Sequence, residues 1–64
     1  MELEKFALLR AKLNGARNRI ESVSQTMQNC YAHLKFSKED KQLLKEYLGI
    51  AQADIAEMLR LLNE

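Results

Sequence analysis

Residues Phe6 to Leu34 read FALLRAKLNGARNRIESVSQTMQNCYAHL, and the spacing of the apolar members decides the fold. Phe6, Leu9, Leu13, Ala16, Ile20, Val23, Met27, Cys30 and Leu34 follow one another at intervals of 3, 4, 3, 4, 3, 4, 3 and 4. A helix turns once every 3.6 residues, so this alternation stacks them into one stripe and predicts a coiled-coil seam. Phe6, Leu13, Ile20, Met27 and Leu34 form one core row, and Leu9, Ala16, Val23 and Cys30 the other. Further on, Leu44, Leu48, Ala51, Ile55, Met58 and Leu62 recur at 4, 3, 4, 3 and 4, which predicts a second helix of the same kind.

Between the stripes lie Lys35, Phe36 and Ser37, followed by Lys38, Glu39 and Asp40. Ser37 is suited to accept hydrogen bonds from first-turn N–H groups, and Glu39 and Asp40 place negative charge where the helix dipole favours it. Asp40 also occupies the capping-box position, although its side chain reaches back less far than Glu or Gln. The expected fold is all-α: a single antiparallel two-helix hairpin over residues 1–64, with a helix from about 2 to 35, a turn at about 35–37 and a helix from about 38 to 63. Completion of a four-helix bundle by a second chain is the expected assembly.

A turn there pairs positions whose numbers sum to about 71. Ala16 then meets Ile55 and Ile20 meets Ala51, small against large. The same register sets Arg19 beside Asp54 and His33 beside Asp40. Asn14-Gly15 is a common turn dipeptide and offers a three-helix alternative with a break at that point. Against it, Leu13, Ala16 and Ile20 keep their phase across the dipeptide, so Gly15 reads either as a close approach by another helix or as a tolerated surface glycine.

Sixty-four residues allow one domain, with a core too small for a large enzyme cleft. One cysteine excludes an internal disulfide, and proline is absent. No Ser-His-acid constellation, Gly-rich phosphate loop or HExxH run occurs, so no catalytic residue is assigned and no enzyme activity is expected. Cys30 and His33 stand three apart, but two ligands do not specify a metal site, and no metal or other cofactor is expected. Glu2, Glu4 and Arg10 interrupt the apolar residues of the N-terminus, which therefore reads as neither a secretory signal nor a membrane span; a cytoplasmic location is expected.

Apolar residues outside the stripes point to association. Leu43, Tyr47, Ile50, Leu59 and Leu61 on the second helix, with Leu3 and Leu8 on the first, are the expected protein interface. The expected function is a non-enzymatic interaction module, a small adaptor, regulator or chaperone-like subunit. It would pair with a second copy or with a heterologous helical protein, without membrane or small-molecule substrate. The alternative is RNA binding by the first helix, where Lys5, Arg10, Lys12, Arg17 and Arg19 form an acid-free run. For that reading the chain resembles small helical-hairpin RNA-binding regulators in length and outline.

Two further resemblances are visible. The run LGIAQADIAEML, Leu48 to Leu59, is similar to the pattern of helix-turn-helix DNA-binding domains at Gly49, Gln52, Ile55, Ala56 and Leu59. That family requires a recognition helix next, and five residues follow Leu59, so the run is expected to belong to the heptad-bearing helix. In length and shape the chain is also similar to the small hairpin subunits of type III secretion needle chaperones, a resemblance that implies cover for a partner's apolar surface.

Overall fold

The computed structural model describes residues 2–64. Helix α1 (Glu2–His33) and helix α2 (Lys38–Leu62) pack against each other as a hairpin, with no strand among the described residues. The hairpin is a rod of 49 × 14 × 13 Å. Glu2 and Glu4 in the first turn of α1 and His33 in its last complement the helix dipole.

Helix α1 runs unbroken through Asn14-Gly15. Gly15 faces α2: a Cβ built there would lie 2.9 Å from Asp54 Oδ2. The glycine thus admits close approach of the second helix and marks no turn. The helix ends at His33, earlier than expected, because Leu34 adopts a left-handed conformation with φ 53°. The Lys35 N–H donates to Cys30 O at 3.0 Å and the Leu34 N–H to Tyr31 O at 3.1 Å, the two bonds of a Schellman cap. Leu34, expected to close a core row, is therefore directed out of the seam and is 84% exposed.

Helix α2 opens as its sequence predicts. The Asp40 N–H donates to Ser37 Oγ at 3.0 Å, and the Ser37 N–H donates back to Asp40 Oδ2 at 3.4 Å. The longer return bond reflects the short reach of aspartate. At the other end the Asn63 N–H is shared between Leu59 O and Arg60 O.

The packing differs from the expected seam by a rotation of both helices. Among the described residues four are buried: Ala16 and Cys30 on α1, Ala51 and Leu61 on α2. Leu9, Val23, Leu44 and Met58 are partly buried, so one row of each predicted stripe does face the partner helix. Beside these rows, Lys5, Lys12 and Thr26 on α1 and Asp40, Tyr47 and Asp54 on α2 are also partly buried. The other predicted core row of α1, Phe6, Leu13, Ile20 and Met27, remains 44–68% exposed, and Leu48, Ile55 and Leu62 of α2 remain 45–63% exposed.

Ile20 and Ile55, expected to fill the seam against Ala51 and Ala16, are instead 50% and 45% exposed, while both alanines are buried. Gly15, Ala16 and Ser22 on α1 and Ala51 on α2 present little bulk, and at Gly15 the second helix comes so near that a built Cβ would crowd Asp54. Dispersion attraction falls off steeply with separation, which favours the edge where backbones come nearest. Asp54 pairs with Lys12, Nζ to Oδ1 at 4.0 Å, one heptad from the expected Arg19. The other expected pair, His33 and Asp40, forms no ion pair among the described residues; His33 only adds the smallest of the influences that lower the Asp40 carboxyl, behind the Ser37 and Cys30 hydrogen bonds.

Candidate interaction surface

The rotation gives the hairpin two unlike sides. Residues seven apart on a helix share a face, and in an antiparallel pair equivalent edges of both helices fall on the same side. Phe6, Leu9, Leu13, Met58 and Leu62 line one shared groove, with Arg10 at its rim. Heptad steps from these residues carry the apolar side along the rod, through Ile20 and Met27 on α1 and through Ile55 and Leu48 on α2. Ile20, Val23, Met27 and Tyr31 line a continuation of it. Two exposed, largely apolar ridges thus border a floor of Leu9, Val23, Leu44 and Met58.

The opposite side is polar. Lys12 meets Asp54 there, and its charge also helps hold Glu57 below the usual carboxylate range. The main cause at Glu57 is hydrogen bonding to Arg60, whose Nε donates to Glu57 Oε2 at 3.0 Å. Arg60 also donates through Nη1 to Glu64 Oε1 at 2.9 Å, and the two glutamates hold its guanidinium above its usual range. Lys5 and Leu8 line a shallow cleft with Glu2, Glu4 and Glu64, closed beneath by Leu61. Near the turn, burial and then the adjacent Asp40 carboxylate push the Cys30 thiol above its usual range. It is a packed apolar side chain with little thiolate character.

The residues expected to form the interface are divided by this geometry. Leu3 and Leu59 stand three positions before Phe6 and Leu62, so they extend the apolar side at the open end, and both are exposed. Leu8 is exposed on the polar side. Leu43 and Ile50 are exposed at that side's outer margin, and Tyr47 is partly buried along the helix contact. Leu61 needs correction: at 5% exposure it belongs to the hairpin core, because the rotation of α2 turns it onto α1. The ridge residues themselves, reserved by the sequence reading for the core, are the larger free surface. The available signal was the contrast in bulk between rows, since Phe6, Leu13, Ile20 and Met27 stand in one row of α1 while the other includes the small Ala16 and Cys30.

The five cations of the RNA reading are likewise split. Lys5, Lys12 and Arg19 follow at seven-residue intervals on the polar side, whereas Arg10 and Arg17 border the apolar side. No family model, curated protein or solved structure matches the chain. Among the described residues, no helix is long and apolar enough to cross a membrane.

Proposed function

We propose that the protein is a non-enzymatic interaction module that buries its apolar side against a helical partner, acting as a small adaptor, regulator or chaperone-like subunit. The observation that carries this reading is the double ridge of exposed side chains at strict heptad spacing. Such spacing is what knobs-into-holes packing with further helices requires. A partner that supplies two helices completes a four-helix bundle.

Surface area supports the same reading. A compact protein of 7.4 kDa exposes roughly 4,200 Å². The hairpin exposes 5381 Å², an excess of roughly 1,200 Å², whereas a stable interface covers about 800 Å² per partner. The excess is therefore large enough to include one complete docking surface.

Site-specific photo-crosslinking in the native cell tests the proposal. A photoreactive side chain placed at Ile20 or Ile55 is expected to trap a discrete protein, and one at Gly49 or Ala53, away from the ridges, is expected to trap none. Equal labelling from all four positions, or adducts chiefly with RNA, would sink the reading.

A further inference from the structure

The rows beside the two ridges specify the partner's charge. Three positions before each ridge residue of α1 stand Leu3, Arg10, Arg17 and Ser24. The corresponding row of α2 holds Lys38, Lys45, Gln52 and Leu59, and Lys41 begins the α2 ridge itself. Five of the ten Lys+Arg residues therefore stand in these rows, together with none of the nine Asp+Glu; Glu21, one row beyond, lines a cleft with Arg17 and Ile20. All five are exposed, and none takes part in an ion pair among the described residues. The net charge of +1 conceals this segregation, because the acids gather on the polar side and the outer backs of the helices.

We infer that the apolar side takes a heterologous amphipathic helix whose flanking positions are acidic, and that it excludes a second copy of this chain. The inference rests on the reading above and narrows it. Residues flanking a helical seam decide which partner is accepted, since opposite charges across the seam attract and like charges repel. Two copies placed ridge to ridge about a two-fold axis bring flank against flank. If the axis runs along the rod, the Arg10 and Arg17 flank lies against the partner's Lys38 and Lys45 flank. If it runs across the rod, arginine flank meets arginine flank and lysine flank meets lysine flank. Neither arrangement places an acid in the facing flank rows. A helix with Glu or Asp beside its apolar stripe supplies one to each cation and seats its own ridge in the groove over Leu9 and Met58.

That groove also favours a helix over an anionic bilayer, which shares the charge preference. A ridge at heptad spacing fills a groove between two ridges, whereas a fluid acyl surface needs no such register.

Two synthetic helical peptides with the same Leu and Ile heptads, one flanked by Glu and the other by Lys, provide the probes. Binding to the intact chain is followed by fluorescence anisotropy at 50 and 300 mM salt, beside sedimentation of the chain alone. The Glu peptide is expected to bind at least about tenfold more tightly than the Lys peptide at low salt, with the difference narrowing at high salt. The triple variant R10E/R17E/K45E is expected to reverse the preference while keeping the helical content of the wild type. If that variant does not fold, R17E alone, at an exposed position, is expected to shrink the preference. Equal affinity for both peptides, or a tight homodimer that survives low salt, overturns the inference and leaves the interaction module standing. Binding to phosphatidylglycerol vesicles with no binding of either peptide overturns both. A monomer that binds neither probe also overturns both.

Discussion

Leu34 carries the most conspicuous local cost in the chain. A β-carbon in the left-handed region crowds the following carbonyl, at roughly 1 to 2 kcal/mol, and an 84% exposed side chain recovers almost nothing by packing. Leu34→Gly is therefore expected to stabilise the hairpin by about 1 kcal/mol, read as a higher urea midpoint with unchanged slope. The two glycines make a matched pair. A Cβ at Gly49 would meet nothing within 4 Å, so Gly49→Ala should gain the full helical preference of alanine, about 1 kcal/mol. At Gly15 the new methyl group would displace the Asp54 carboxylate from its place by Lys12. Gly15→Ala is expected to gain less than Gly49→Ala in the wild type, and to match it in an Asp54→Ala background. Equal gains in both backgrounds would show that Asp54 does not constrain that position.

At the level of the elements, the two helices, their antiparallel pairing and the Ser37 cap were legible in the sequence, because each depends on residues close together in the chain. The rotation of the helices was not. A 3, 4 spacing defines an apolar stripe, but the same stripe serves an intramolecular partner on one edge and a separate partner on the other. Which edge closes depends on the bulk of Gly15, Ala16 and Ser22 beside that of Leu13 and Ile20, a comparison between rows and not along them. Ala51 tests this geometry. It is buried where the helices approach, so Ala51→Leu is expected to overpack the contact and cost about 1 to 3 kcal/mol. Ile55→Ala, one heptad row away and half exposed, should cost the isolated hairpin less than the 2 to 5 kcal/mol typical of a core site, about 1 kcal/mol. The cap adds an acid sensitivity. The Ser37 side chain, then the Cys30 thiol and the Ser37 backbone, hold the Asp40 carboxyl below its ordinary value of 3.8. A depressed folded value means that the stabilisation is complete above 3.8 and is lost as pH falls through the folded value. Glu57 beside Arg60 acts in the same direction from its ordinary 4.5. Urea midpoints are expected to stay level from pH 7 to about 5 and to drop below pH 4, and Asp40→Asn should make that drop shallower.

For the whole molecule, the decisive quantity is how little the hairpin encloses. Among the described residues, only Leu61 of the four that are buried has a large side chain, and none is completely shielded from solvent. The radius of gyration is 14.7 Å, whereas a compact chain of this length has about 11 Å. So open a rod has a small margin of stability, and much of the apolar surface that would enlarge it lies on the ridges, available only to a partner. Folding and binding are then linked: a ligand that binds only the folded hairpin stabilises it by about 2.7 kcal/mol at 100 times its dissociation constant. In a domain of this size that corresponds to a rise in Tm on the order of 10 to 20 °C. The Glu-flanked peptide at that concentration is expected to produce such a rise, and Ile20→Ser combined with Ile55→Ser should abolish it while leaving a helical spectrum at low temperature. Raising the concentration of the hairpin alone should leave Tm nearly constant, since its basic flanks repel one another. A Tm that climbs steeply with hairpin concentration would show instead that the ridges are covered by a second copy.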